Sequence, residues 1–126
     1  MSILLVRITT QIGFKKNLFS MDAELSSLED KRSQYLELID RKLPQEAKQR
    51  DFPIRFNHCF ARIILDNLFQ CCWYEAIDRK KGAAYKQLSE GELTRAIALA
   101  EKIINSPDSY IKELNQNSLR WRGKLK

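Results

Sequence analysis

His58, Arg62 and Asp66 recur at every fourth position, a spacing that stacks side chains in one strip along a helix. The strip offers an imidazole that can move a proton, a guanidinium that can hold an anion and a carboxylate that can pair with either. Phe69 and Trp73 continue the strip one and two turns further on and supply an aromatic floor. The pattern has two readings. In the functional one, His58, Arg62, Asp66 and Trp73 form a polar pocket. In the structural one, which we prefer, Arg62 and Asp66 form an i,i+4 ion pair that ties the helix to the loop before it. On a surface such a pair contributes about 0–1 kcal/mol. Buried, it persists only if fully hydrogen-bonded.

A second cluster lies at the C-terminus. Arg120, Trp121, Arg122 and Lys124 interleave cations with an indole face, an arrangement suited to gripping a single-stranded nucleic acid or an acidic partner. The plainer reading packs Trp121 on the bundle and leaves the arginines solvated.

No residue is assigned a catalytic role. The adjacent His58 and Cys59 diverge by about 100° on a helix and suit one ion poorly. Cys71 and Cys72 are contiguous, and the chain has one histidine, so neither a metal site nor a cofactor is expected. Cys59, near a helix N-terminus, is the best-placed thiol for a nucleophile, but thiols in helix interiors are usually inert. Gly13, Gly82, Gly91 and Gly123 are isolated, which excludes a glycine-rich phosphate loop. The residues after Gly82 lack the Arg, Asn or Gln cluster of a base-reading helix.

These residues need elements to position them. The stretch from Phe56 to Ile77 is mostly apolar or aromatic on every side, which marks a helix surrounded by protein. The expected central helix spans 57–78, with Asn57 as N-cap and Gly82 closing its C-terminal side. Residues 23–42 place Leu25, Leu28, Tyr35, Leu36 and Ile39 at helical spacing, and Leu43 follows in the same register. Pro44 is expected to stop that helix and 44–55 to form a linker. Ser89 and Glu92 have capping-box spacing for a third helix. Ser106-Pro107-Asp108 opens a fourth, which Gly123 ends. The reading is an all-α, four-helix single domain.

Composition limits what the domain does. With 126 residues and a formal charge of +6, the chain is long enough for one core. Residues 1–20 hold three cations without an acid and residues 120–126 four, whereas 21–119 carry 15 basic and 16 acidic residues. The basicity sits at the ends, not in the fold, unlike most nucleic-acid-binding domains. Residues 1–20 read as an N-terminal extension, and three readings compete for it: a short strand or packed arm, an organelle-type targeting peptide, or a non-native or disordered stretch with the natural chain starting at Met21, which we prefer. Residues 21–126 read as a single helical domain. Three cysteines, all within the expected apolar helix, and no secretory signal indicate buried free thiols in the cytoplasm. No apolar run is long enough to span a membrane.

The passages HCFARIILDN, CWYEAI, AYKQLSEGELTRAIALAEKII and LNQNSLRWRGK together resemble a set of short uncharacterised bacterial helical proteins, cyanobacterial ones among them. The resemblance covers about 45–124 and implies a small free-standing protein beginning near Met21. Some of these proteins carry the label GNAT-type acetyltransferase. That activity does not transfer, because the chain lacks the Gly-rich acetyl-CoA loop and the mixed sheet. The functional expectation is a non-enzymatic accessory module that binds another protein. The alternatives are an RNA or single-stranded DNA accessory protein that uses the basic termini, and an acetyltransferase-like enzyme. The oligomeric state is open.

Overall fold

The computed structural model describes residues 26–54 and 56–124. The extension at 1–20 and Met21 lie outside the described residues. The fold is all-α, and no strand occurs among the described residues. Among the described residues, four long helices form the domain: α1 (26–49), α2 (Asn57–Phe69), α3 (Glu90–Ile104) and α4 (Asp108–Trp121). Helix α2 is central and touches the other three.

Pro44 does not stop the first helix. Residues 26–37 are α-helical, Leu38–Lys42 form a π-helical turn, and Leu43–Gln49 resume the α form. The Leu43 N–H donates to the carbonyl five residues back, at Leu38. The widened turn explains why proline is tolerated. In a regular helix the Pro44 ring would strike the Asp40 carbonyl, and the missing N–H would break the ladder. Here the ladder is already changing register, so both costs fall where the helix is open. Leu38, Ile39, Leu43 and Ala47 from this segment enter the core.

Helix α2 is shorter than its pattern predicts, ending at Phe69 rather than at residue 78. Its burial agrees with an apolar surface on all sides: from Phe60 to Phe69 no residue is exposed. Phe60, Ile63, Ile64 and Leu65 are at the centre of the core, facing Leu93, Ala96, Ala100 and Ile103 of α3 and Ile111 of α4. The helix stops because Gln70 turns left-handed, at φ 57° and ψ 39°. Both the Gln70 and the Cys71 N–H then bond the Asp66 carbonyl. Residues 70–89 continue as irregular chain with three short 3₁₀ turns, at Trp73–Glu75, Arg79–Lys81 and Ala84–Lys86. Gly82 closes the second of these turns, at φ 118°, and not α2.

A left-handed conformation costs an L-residue about 1–2 kcal/mol, which glycine avoids. Gln70→Gly is therefore expected to raise stability by up to about 1 kcal/mol, after its greater unfolded-state entropy is deducted. A urea melt that shows a destabilised variant would mean that the Gln70 side chain contributes more than its backbone strain costs.

The capping box is present: Ser89 Oγ accepts from the Glu92 N–H, and Glu92 Oε1 accepts from the Ser89 N–H at 2.8 Å. Helix α4 starts one position later than expected, with Pro107 as N-cap. It ends before Gly123, which takes φ 71°. Arg50 fastens the loop after α1 to the α3–α4 turn. Its guanidinium donates to Asp108 Oδ1 at 2.8 Å, the Ile104 carbonyl at 2.8 Å and Glu46 Oε1 at 3.1 Å, and also to the Ser106 carbonyl.

Candidate functional site

Asp66 is fully buried, as is Ser118 on α4. A buried carboxylate must be matched by donors, and Asp66 has four. Arg122 grips it bidentately, Nε to Oδ2 at 2.7 Å and Nη2 to Oδ1 at 3.1 Å. Ser118 Oγ donates to Oδ2 at 2.6 Å, and the Trp73 N–H donates to Oδ1 at 2.8 Å. The ion pair expected between Arg62 and Asp66 is thus made by Arg122. Arg62 turns to α4 instead, donating to Ser118 Oγ at 2.7 Å and to Asn115 Oδ1 at 2.9 Å. The hydroxyl relays between the two: it accepts from Arg62 and donates to Asp66. Asn67 extends the seam by donating to the Ile63 and Leu114 carbonyls.

This network changes what each group can do. The Asp66 carboxylate, with burial opposing, raises the Arg122 pKa well above its ordinary value, so the guanidinium stays charged. With all four donors engaged, the carboxylate joins α2 to α4 and draws Trp73 back under the end of α2. That contact also explains why α2 ends early, since Asp66 terminates the helix with its carbonyl and its side chain.

His58 is apart from this network. It is exposed and stacks on Phe56, with ring centroids 5.8 Å apart and planes at 8°. Phe56 itself is 66% exposed. His58 lines an open, mainly apolar groove of about 240 Å³ between α1, α2 and the irregular segment. Tyr35, Ile39, Ala61, Trp73 and Tyr85 contribute to its wall. Asp40 is the groove's acidic member, held by Asn57 Nδ2 at 3.0 Å. The strip therefore divides. Arg62 and Asp66 belong to the helix seam, His58 faces the groove, and Trp73 contributes its N–H to one and its ring to the other.

The C-terminal cluster divides as well. Arg122 is only 13% exposed on Asp66 and lies 4.8 Å from the centre of the Tyr74 ring. Arg120 is exposed and bonds Asn117 Oδ1 at 3.1 Å. Trp121 is half-buried and Lys124 exposed. Arg79 adds a second guanidinium 3.7 Å from the Tyr74 centre.

The cysteines are free and half-buried rather than buried. Cys59 alone is in α2, and Cys71 and Cys72 follow it. Burial pushes the Cys71 thiol up, with Glu75 next in effect. Because the thiolate is the reactive form, Cys71 in native protein is expected to alkylate more slowly at neutral pH than after unfolding, and faster as pH rises. Peptide mapping after a timed alkylation pulse measures this, and equal native and unfolded rates would contradict it. Among the described residues, no group of three or more His, Cys, Asp and Glu could hold a metal ion. None of the helices described is long and apolar enough to cross a membrane.

Sequence spacing missed Ser118, Asn115, Tyr74 and Arg79. One signal was available for Ser118: it follows Ile111 and Leu114 on the buried stripe of α4, where a hydroxyl needs a partner. Tyr74 and Arg79 had no signal, because their meeting depends on the irregular path after α2. No protein family, no curated protein and no solved structure matches this chain.

Proposed function

We propose that the chain is a non-enzymatic helical interaction module, an accessory factor that binds another protein in the cytoplasm. The groove beside α2 carries this reading. It is open and mainly apolar, and its His58 stacks on the strongly exposed Phe56. Large apolar side chains left in water beside a groove are the usual mark of a binding surface. The polar seam supports the same reading from the other side, because its charged groups are spent on joining α2 to α4. Three free thiols fit a reducing compartment.

The test is a photoreactive benzoylphenylalanine at position 56, irradiated in cells. A discrete protease-sensitive, nuclease-resistant adduct that disappears in the groove-filling variant Ala61→Phe is expected. A nuclease-sensitive adduct, or none above that from exposed position 116, would defeat the reading. A second reading, an RNA or single-stranded DNA accessory protein, is favoured by the meeting of Arg79 and Arg122 at Tyr74. It is the weaker one, because Arg122 spends its charge on Asp66.

A further inference from the structure

Trp73 and Tyr74 join two surfaces that lie apart in the sequence. The Trp73 ring lines the apolar groove. The Tyr74 ring meets it edge-on at 4.8 Å and 74° and is 43% exposed. Arg79 and Arg122 both lie on Tyr74, at 3.7 and 4.8 Å from its centre. Arg122 is committed inward to Asp66. Arg79 is not: it is exposed, and exposed Lys80 and Lys81 follow it on the same turn. Of the neighbouring acids, Asp78 turns its carboxylate back onto the Lys80 N–H at 2.9 Å, and Glu75 is exposed one turn earlier. A cationic ledge thus adjoins the aromatic end of the groove, while Asp40 sits in the groove itself.

We infer that the groove's partner is an acidic amphipathic peptide segment, with an apolar side chain seated against Trp73, Tyr85 and Ala61 and its flanking carboxylates on Arg79, Lys80 and Lys81. The inference rests on the protein-binding reading and specifies its ligand. Charge complementarity selects the segment: guanidinium forks match carboxylates, and a cation at the rim steers and orients an anionic partner. A nucleic-acid strand fits less well. Of the two guanidinium groups at the Tyr74 ring, Arg122 is spent on Asp66, so Arg79 alone is left to hold a phosphate there. The Asp40 carboxylate also opposes a phosphate that enters the groove, whereas a peptide can place its acids at the ledge alone.

The test starts from a random peptide library displayed on phage, selected on the native chain and counter-selected on Ala61→Phe. Enriched peptides are expected to carry an aromatic or aliphatic anchor beside two or more acids. By fluorescence anisotropy they should bind Arg79→Glu about tenfold more weakly than the parent. Arg79 is exposed, so this variant should melt as the parent does, and it stays informative if Ala61→Phe fails to fold. Enriched peptides with an anchor but no acidic bias, bound equally by Arg79→Glu, would overturn the inference and leave the groove reading standing. No enrichment over Ala61→Phe would overturn both. Arg79-dependent binding of oligouridine, tighter than that of any selected peptide, would overturn both in favour of nucleic acid.

Discussion

Asp66→Ala is expected to unfold in urea with a stability loss of about 3–5 kcal/mol, the usual result of removing one partner from a buried ion pair. The loss comes from what is left behind. Arg122 would keep its charge at 13% exposure, and Ser118 and the Trp73 N–H would lose their acceptor. Arg122→Ala should also be costly, because it strands the carboxylate with two neutral donors. The double variant should lose less than the two single losses together, by about 0.5–3 kcal/mol, since residues in one network do not add. Paired apolar replacements of Asp66 and Arg122 should recover only part of the loss, because the Ser118 hydroxyl and the Trp73 N–H would still need acceptors. A loss under about 1 kcal/mol in Asp66→Ala, combined with abolished partner binding, would instead make the strip the binding site.

Arg50→Ala is expected to cost about 2–3 kcal/mol, because charge-assisted hydrogen bonds to two carboxylates and two main-chain carbonyls vanish together. Lysine should restore less than half, since a single ammonium cannot reproduce the planar fan of a guanidinium. The effect carries a pH signature. The hydrogen bond from Arg50 holds the Asp108 carboxyl below its ordinary value, against a smaller opposing effect of burial. A depressed carboxylate contributes stability above its unfolded pKa, near 3.9, and loses it as pH falls through the folded value. The deficit of Arg50→Ala relative to the parent should therefore be full near neutrality and narrow below about pH 4. A deficit that stays constant into acid would show that the carbonyl contacts, not Asp108, carry the effect.

The four-helix architecture was legible because periodicity and caps are local. Leu93, Ala96, Ile97, Ala100 and Ile103 bury the stripe that their spacing predicts, behind the Ser89–Glu92 box. The end of α2 was not legible. Apolar residues continue past Phe69 without a glycine or proline, and the stop is imposed by Asp66 in partnership with α4, over 50 residues away. The role of Asp66 was half legible. Its position on the most apolar helix marked it as a buried charge in need of a partner. The partner could not be read from the chain, because Arg62 is nearer in sequence and Arg122 nearer in space. Pro44 misled for a related reason, as propensity rules assume a ladder of constant register.

That register change has a consequence for how the domain could be altered. A π-helical turn holds one residue more than the same rise in an α-helix needs. The Leu38–Lys42 turn is therefore a stored insertion, and it sets the angular phase between the two halves of α1. Upstream of it, Tyr35 and Leu36 line the groove, Tyr35 being buried in the core as well; downstream, Leu43 and Ala47 are buried in the core. Excising one residue, for instance exposed Arg41, would convert the turn to ordinary helix and rotate one half against the other by about 100°. Both halves are anchored by burial, Tyr35, Leu38 and Ile39 on one side and Leu43 and Ala47 on the other, so the rotation would pull one set out of the core and displace Tyr35 and Leu36 from the groove wall relative to it. The surplus residue thereby sets the direction in which Tyr35 and Leu36 face relative to Leu43 and Ala47.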